Sequence, residues 1–408
     1  MTVALPVSDD AGAPATDFPP VLVVHNTYRL LGGEDVEVGA EIDLLRSMGA
    51  PVTTMIYESE DQSRIDRLKR RPYELVYNRA AYEQARALIR RHGAQLVHCH
   101  NLVPLLSPSI YSAAAAEGVP VVQSLHNFRM GCLNGLHLRQ GRVCERCRPG
   151  HHLSGIAFGC YRGSRVDSLA FGLAQTANHW GGVWNRPTVY TVPTPFLRQK
   201  LLAWGIDGEK IVVKPHFVPE DPGPSPSPGR HALFIGRLVE EKGVDLLLDA
   251  WTPDRLPLVI VGDGPLRGHL EQRVKADGQA NVRFAGFQDR AGIHSLLGEA
   301  RFLVMPSIWF ETLGIVLIEA YAHGVPVIAT RLGAMADVVR DGVTGLTFTL
   351  GDRSDLGDKV SRVQNDPVLR QALSTAARRE YEARYSSEVQ AGFLRALYEQ
   401  TLRAYATT

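Results

Sequence analysis

The segment that decides the fold runs from Pro306 to Thr349 and has the sequence PSIWFETLGIVLIEAYAHGVPVIATRLGAMADVVRDGVTGLTFT. It begins where an apolar run ends in a Pro-Ser turn, and a helical pattern follows Gly314. Two glutamates, Glu311 and Glu319, flank the start of that helix and are separated by seven residues. An apolar strand followed directly by a helix is the repeating unit of parallel α/β sheets.

The start of this helix has the chemistry of an anion site. It presents unpaired backbone N–H groups and the positive end of the helix dipole, both of which favour phosphate. Gly314 lets a ligand approach the backbone closely. We therefore expect residues 312–315 (Thr312, Leu313, Gly314, Ile315) to line a phosphate site. A carboxylate on each side can accept hydrogen bonds from sugar hydroxyls, so the pattern predicts a nucleotide-sugar site.

The spacing of the two glutamates resembles the Glu-x7-Glu motif of the family 4 retaining glycosyltransferases, which have the GT-B fold. Three further segments between residues 230 and 350 are similar to motifs of that family and occur in the same order. They are Gly236-Arg237-Leu238 with Glu241-Lys242-Gly243, then Val261 to Leu266 (VGDGPL), then Gly333 with Asp337 and 341–345 (DGVTG).

The resemblance implies an α/β GT-B fold, with two Rossmann-like parallel-sheet domains that face each other across a cleft. A segment with five prolines, PEDPGPSPSPG at 219–229, is expected to be a stiff linker between the domains. We expect a disordered tail at 1–19, an N-terminal acceptor-side domain at 20–218 and a nucleotide-sugar-binding domain at 230–385. A C-terminal helix at 386–408 is expected to pack back on the first domain.

Short apolar runs bounded by turn residues predict the buried strands of both domains. In the first domain they begin at residues 21, 95, 119, 189 and 211, and in the second at 232, 258, 282, 302 and 325. Ligands bind such sheets at the carboxyl ends of their strands.

The resemblance also implies roles for individual residues in the second domain. Arg237 and Lys242 would stabilise the negative charge of the departing diphosphate, which two cations can do without a metal. Glu311 would bind the donor sugar and Glu319 the ribose. Gly236 and Gly264 would help to form the nucleotide pocket.

The first domain supplies the opposite side of the expected site. Gly32 and Gly33 resemble the glycine loop that passes near the diphosphate, although a plain turn is the alternative. His126 follows a predicted strand and matches the position of the family histidine near the donor sugar. The family often has His-Asp at this point, whereas this chain has His126-Asn127, so no carboxylate role is assigned to residue 127.

Two other classes of site are disfavoured by spacing. The sequence contains no Asp-x-Asp motif, so we expect no catalytic divalent metal. Gly262 and Gly264 superficially resemble a dinucleotide fingerprint, but the third glycine, Gly268, comes one position too late.

A cysteine-rich insertion at 130–163 follows His126. Its cysteines have the spacing Cys132-x11-Cys144-x2-Cys147-x12-Cys160, and the Cys-x2-Cys core is typical of zinc sites. We expect these four thiolates to bind a structural Zn²⁺, with His151 or His152 able to replace one sulfur. Free or redox-active thiols are the alternative.

A basic stretch at 64–91 carries nine arginines and lysines with interleaved tyrosines. One interpretation is a solvated helix face, and the other is a peripheral contact with anionic lipid or a lipid diphosphate. The net charge of the whole chain is only +1, so we expect no nucleic-acid partner.

Together these features predict a cytoplasmic retaining (α) glycosyltransferase, and peripheral contact with the inner face of the cell membrane stays one of the two interpretations of the basic stretch. It would move a sugar from a nucleotide-sugar co-substrate to a glycan or lipid-linked glycan in polysaccharide synthesis. A nucleotide-sugar epimerase or hydrolase of the same fold, and a non-catalytic sugar-binding protein, remain as alternatives.

Overall fold

The computed structural model describes residues 18–28, 32–225 and 229–407. Its first half contains eight strands and seven helices. The strands are β1 (Val21–Asn26), β2 (Val52–Tyr57), β3 (Leu96–Cys99), β4 (Val121–Ser124), β5 (Leu138–Arg139), β6 (Arg142–Val143), β7 (Val189–Val192) and β8 (Ile211–Val213). The helices are α1 (Gly33–Ser47), α2 (Gln62–Arg70), α3 (Arg79–His92), α4 (Ser109–Ala116), α5 (Leu153–Ala157), α6 (Arg165–Trp180) and α7 (Pro195–Ala203).

The second half contains six strands and eight helices. The strands are β9 (His231–Ile235), β10 (Leu258–Val261), β11 (Val282–Gly286), β12 (Ala300–Met305), β13 (Val327–Thr330) and β14 (Gly345–Phe348). The helices are α8 (Val244–Asp249), α9 (Arg267–Ala276), α10 (Arg290–Gly298), α11 (Ile315–Ala322), α12 (Ala334–Val338), α13 (Arg353–Asn365), α14 (Pro367–Arg384) and α15 (Ser387–Ala406).

Each half forms a six-stranded sheet in which all neighbouring strands are parallel. The orders are β2-β1-β3-β4-β7-β8 and β11-β10-β9-β12-β13-β14. Strands β1, β3, β4, β10, β13 and β14 are buried along their whole length, as expected when helices cover both faces of a sheet. The prediction of a two-domain α/β fold is confirmed.

Four strands were not predicted from apolar runs. Two of them, β5 and β6, have two residues each and pair only with each other. The other two, β2 and β14, each lie at the edge of a six-stranded sheet. Strand β2, with the sequence VTTMIY, contains two threonines and has four partly exposed positions. Strand β14 begins with Gly345, whose added Cβ would lie 2.1 Å from the Val327 carbonyl oxygen. The threonines of β2 and the glycine that begins β14 each interrupt the continuous apolar run that marks a central strand.

The chain crosses between the two halves at two adjacent points. The Val218 amide donates to the Tyr385 carbonyl at 2.9 Å, and Val218 also bridges to Ser386. Helix α15 then packs on the first sheet, where Leu394, Leu397 and Tyr398 share a core cluster with β1 and α1.

The structure describes only part of the expected tail and part of the expected linker. Residues 1–17 of the expected tail and residues 226–228 of the linker lie outside the described residues. Phe18, which was assigned to the tail, is instead buried, with its ring centroid 5.8 Å from that of Tyr398. The buried side of α15 therefore holds this part of the chain in place.

Candidate active site

The loops that follow β9 and β12 bring Lys242 and Glu311 together. The Lys242 Nζ atom donates to Glu311 Oε1 at 2.6 Å, and the Ser307 hydroxyl donates to the same oxygen at 2.7 Å. The Glu311 side chain is buried, whereas that of Lys242 remains partly accessible. The carboxylate is thus fixed by two hydrogen bonds through one oxygen. The sequence reasoning did not identify Ser307, although its place in the Pro-Ser turn four residues before Glu311 is a usable signal.

The glycines of the β9 and β10 loops permit contact between two backbones. A Cβ added at Gly262, whose φ is +127°, would lie 2.0 Å from the Gly236 carbonyl oxygen. A Cβ at Gly264 would lie 2.4 Å from the Leu238 oxygen. Both distances are far below van der Waals contact, so these glycines set the position of the loop that carries Arg237.

Arg237 differs from Lys242 in its surroundings. Its side chain is exposed, and among the described residues it has no ion-pair partner. It lies directly after Gly236, at the carboxyl end of the central strand β9. An exposed guanidinium at this end of a parallel sheet is available to an anionic ligand.

Helix α11 begins at the predicted anion site and faces the other domain. Gly314 has a φ of +86° immediately before Ile315, the first residue of the helix. A Cβ added at Gly33 would lie 3.3 Å from Ile315 Cδ1, so the glycine loop of the first domain lies against the start of α11. Burial raises the pKa of Glu319 within the same helix, and Arg290 partly offsets that rise.

Further contacts across the cleft hold residues 310–312 in place. The Thr194 hydroxyl donates to the Thr312 carbonyl at 3.1 Å, and the Phe196 amide donates to Asp337 Oδ2 at 2.6 Å. The Phe310 ring lies 4.8 Å from that of Phe196. These contacts were not expected from the sequence, because each joins residues more than one hundred positions apart.

His126 lies on the first-domain side in a row of stacked imidazoles. Its Nε2 atom is 2.9 Å from Nδ1 of His100, and its ring lies 5.1 Å from that of His216. Burial, and then the neighbouring His216, hold the pKa of His126 well below its usual range. Its Nδ1 atom is buried and has no hydrogen-bond partner among the described residues. A neutral imidazole with one unused nitrogen can exchange a hydrogen bond with a ligand hydroxyl.

Beneath these rings lies a charged network that sequence reasoning missed. Lys214 Nζ is 2.6 Å from Glu41 Oε2, and Glu41 Oε1 is 3.0 Å from His98 Nδ1. His216 Nδ1 is 3.2 Å from Glu37 Oε1. Burial alone would raise the pKa of Glu41, but Lys214 and then His98 hold it well below its ordinary value. The network therefore carries fixed opposite charges beneath the histidine row.

Hydrogen bonds to Asp35 hold the glycine loop of the first domain in place. Its carboxylate accepts from the backbone amides of Gly32 and Tyr28, at 2.9 and 3.1 Å, and lies 2.9 Å from His25 Nε2. Residues 29–31, between these points, lie outside the described residues. Asn127, the residue after His126, donates to the Tyr28 hydroxyl at 3.0 Å. The amide at position 127 thus supports the loop, a role that needs no carboxylate.

The positions of the cysteines do not support the predicted zinc site. Among the described residues, one group of three or more ligand atoms lies within 4.8 Å of one another, and it consists of Glu41, His98 and His100. Four thiolates around zinc at about 2.3 Å each would lie closer together than this. Cys132 instead donates to Asn134 Oδ1 at 2.9 Å. The structural zinc therefore remains a prediction from the sequence.

Two family models match the chain, one in each half. The model described as "Glycosyl transferase 4-like domain" matches residues 32–216, and "Glycosyl transferases group 1" matches residues 221–380. Their boundary coincides with the crossing at Val218.

Curated relatives resemble part of the chain. A phosphatidyl-myo-inositol mannosyltransferase of Mycobacterium leprae is 38% identical over 182 residues, which are 43% of this chain and 47% of the relative. An alpha-D-kanosaminyltransferase of Streptomyces kanamyceticus is 30% identical over 41% of this chain and 45% of its own length. The matched region spans about half the length of these relatives.

Solved structures share the fold over nearly the whole chain. Anabaena HepE in complex with UDP and glucose superposes with a TM-score of 0.64, at 16% identity over 93% of this chain and 100% of that one. A sucrose-phosphate synthase from Thermosynechococcus elongatus gives a TM-score of 0.69, at 17% identity over 94% of this chain and 100% of that one. At this level of identity the likeness establishes the two-domain architecture.

Proposed function

We propose that this chain transfers a sugar from a nucleotide-sugar donor to a glycan or lipid-linked glycan acceptor, with retention of anomeric configuration. The proposal is supported by the two glycosyltransferase family models that match its halves and by its GT-B fold. The observation that carries the proposal is the Lys242–Glu311 pair beside the start of α11. It places a buried carboxylate and a cation where a parallel-sheet domain binds its ligand.

In this proposal the second domain holds the donor and supports departure of the diphosphate. The backbone at Gly314 and Ile315 receives phosphate oxygens, since helix-start N–H groups are free and Gly314 leaves space. Lys242 and Arg237 offset the charge that develops on the diphosphate. Glu319, one turn after the first residue of α11, accepts hydrogen bonds from the ribose hydroxyls.

Glu311 is proposed to orient the donor sugar rather than to attack it. Its Oε1 atom is already engaged by Lys242 and Ser307, which leaves Oε2 to accept from a sugar hydroxyl. A double displacement would need a free carboxylate nucleophile about 5 Å from an acid/base partner. We therefore favour front-face attack, with the diphosphate accepting the proton of the acceptor hydroxyl.

His126 is proposed to contact the donor sugar from the first domain. Two residues later in the chain, the Phe128 ring lies 6.3 Å from that of Phe310, the neighbour of Glu311. This contact brings the β4 loop to the same part of the cleft. A histidine held neutral by burial can act there as a hydrogen-bond partner without adding charge.

The direct test starts with a thermal-shift panel of UDP-, GDP-, ADP- and dTDP-sugars, because a ligand that binds only the native state raises the melting temperature. The donor so identified is then incubated with and without candidate acceptors. We expect nucleoside diphosphate release that depends on acceptor, and a first product whose NMR spectrum shows the donor's configuration.

Other outcomes separate the alternatives. Inversion would contradict the retaining assignment. Release of nucleoside diphosphate without acceptor would indicate a hydrolase. Interconversion of free nucleotide sugars would indicate an epimerase, and donor binding without turnover would indicate a sugar-binding protein.

A further inference from the structure

The cysteine-rich insertion and the helix after it expose an unusual concentration of large apolar side chains. Fifteen such side chains are exposed among the described residues, and six of them fall within residues 153–180. They are Leu153, Phe158, Val166, Leu169, Leu173 and Trp180, and each is between 47% and 82% exposed. We call this set the apolar face.

Four members of the apolar face form one stripe along α6. Val166, Leu169, Leu173 and Trp180 are spaced by three, four and seven residues, which places them on the same side of a helix. The opposite side, which includes Phe171 and Gln175, is buried in the domain. A helix in a monomeric soluble domain normally exposes polar residues on its outer side, so this stripe indicates a surface that is covered in use.

The apolar face has a rigid support. A Cβ added at Gly172 would lie 2.8 Å from Ile156 Cδ1, so α5 and α6 pack closely together. The Tyr161 ring stacks on Phe171 at 4.4 Å. The six side chains are therefore presented together, on elements fixed by the fold.

The same region has an excess of positive charge. Residues 130–181 contain six arginines and no lysine against two acidic residues, whereas the whole chain has a net charge of +1. None of these six arginines forms an ion pair within the part of the chain that the structure describes. Arg139 lies 4.0 Å from the ring centroid of Phe158, and Arg162 and Arg165 flank the start of α6. Arginines without an ion-pair partner beside an apolar helix stripe favour contact with an anionic lipid interface.

The basic stretch at 64–91 fits this role less well. At least seven of its nine cations are paired with acidic side chains, including Arg86 and Arg90, which both contact Glu117. Its exposed large apolar residues are only Tyr73 and Tyr77. No helix of the described residues is long and apolar enough to cross a bilayer.

We infer that the apolar face, with its flanking arginines, docks the protein on an anionic lipid surface. The occupant is a bilayer rather than a second copy of the chain, because two copies would bring two positively charged regions together. Trp180 and Phe158 are side-chain types that favour the level of the headgroups.

This surface would also explain how a lipid-linked acceptor reaches the site, a point that rests on the proposed function. On the buried side of α6, Gln175 donates to the Arg129 carbonyl at 2.8 Å. Arg129 and Gln175 line the same small cavity as His126. One helix thus connects the lipid-facing surface to the first-domain side of the cleft.

The test is co-sedimentation of the full-length protein with vesicles of phosphatidylcholine, with and without phosphatidylglycerol. We expect binding to the anionic vesicles that weakens at high salt, because surface charges are then screened. The variant Leu169→Ser/Leu173→Ser/Trp180→Ser should bind at least about tenfold more weakly, since it removes most of the stripe. Leu350→Ser/Val368→Ser, at exposed apolar positions of the second domain, is the matched control and should bind as wild type.

Several results would overturn the inference. These are no binding to either vesicle, equal binding by the triple variant, or a wild-type dimer that the triple variant converts to monomer without any vesicle binding. Circular dichroism of each variant shows whether the fold is kept. Vesicle binding needs no sugar, so its failure is distinct from failure of the donor panel, which tests the proposed transferase alone.

Discussion

The Nζ atom of Lys242 lies 2.6 Å from Oε1 of Glu311, although the two residues are 69 positions apart in the chain. The Lys242 ammonium also lies 5.5 Å from the centroid of the Trp309 ring. The cation and the carboxylate form one unit, so removal of either leaves the other without its hydrogen-bond partner and free to reorient. This coupling leads to the first prediction.

Lys242→Met and Glu311→Gln are each expected to lower kcat/KM about 10²–10³-fold, because each removes a charged group that we propose contacts the donor. The double variant should lose little more than either single variant, since residues that act as a unit are not additive. Steady-state kinetics with the donor found in the thermal-shift panel measure this. Lys275→Met, at an exposed lysine of α9, is the control. Losses that multiply in the double variant would contradict a coupled pair.

Arg237→Ala is expected to lower kcat/KM by about 10²–10³-fold while the melting temperature stays close to that of the wild type. The reason is that Arg237 is exposed and has no ion-pair partner among the described residues, so its removal breaks no ion pair there. Arg353→Ala, an exposed arginine at the start of α13, is the matched control and should change neither quantity. Kinetics of Arg237→Ala that match the wild type would remove this residue from the site.

Gly262→Ala should destabilise the protein by about 2 kcal/mol or more, because its Cβ would lie 2.0 Å from the Gly236 oxygen at a φ of +127°. Gly268→Ala is the opposite case. Gly268 is the second residue of α9, and a Cβ added there would have no neighbouring atom within 4 Å. There the alanine should stabilise by about 0.5–1 kcal/mol. Urea denaturation measures both variants, and equal midpoints would contradict the close contact of the two loops.

Lys214→Met should cost about 3–5 kcal/mol of unfolding free energy, because it leaves the buried carboxyl groups of Glu41 and Glu37 without their cation. Lys69→Met removes an exposed lysine from its pair with Asp66 and should change the stability by less than about 1 kcal/mol. Chemical denaturation at neutral pH compares the two. If both variants were equally stable, the buried network would not hold the charges assigned to it.

The stability should fall as the pH is lowered from about 6.5 to about 4. Burial lowers the pKa of His152 and of His323 to about 4, while unfolded histidine titrates near 6.5. In that window the unfolded chain takes up protons that the folded chain does not, so each such histidine costs up to about 1.4 kcal/mol per pH unit as the pH falls. Above about 6.5 both states are neutral and this contribution to the slope vanishes.

Denaturation midpoints at several pH values measure the slope. His323→Gln should reduce it, because one of the buried groups is removed. His269→Gln, at an exposed histidine, should leave it unchanged. A slope that is unaffected by His323→Gln would contradict the lowered pKa.

The strands of both sheets could be predicted where they are central. The runs at 189–192 and 258–261 coincide with the central strands β7 and β10, because a strand covered on both faces must be apolar along its length. The Glu311 motif could be found for a related reason. A ligand site at the carboxyl end of a strand uses residues that are adjacent in sequence, so their spacing survives as a local signal.

The buried charged groups beneath the histidine row of the first domain could not be predicted in the same way. Glu37 and Glu41 occupy positions on α1 that look like an ordinary solvated helix face, and Lys214 looks like a surface lysine after β8. Only the packing of α1 against the end of β8 buries all three, and burial is what forces the charges to pair. Similarly, the apolar stripe on α6 has the spacing of a helix side that faces the core, but the fold buries the opposite side of α6.

The sequence by itself determined the strand and helix pattern and the motif residues, because these depend on local spacing. The tertiary structure alone decided which polar groups are buried and which apolar face stays open, because burial depends on what lies opposite in space.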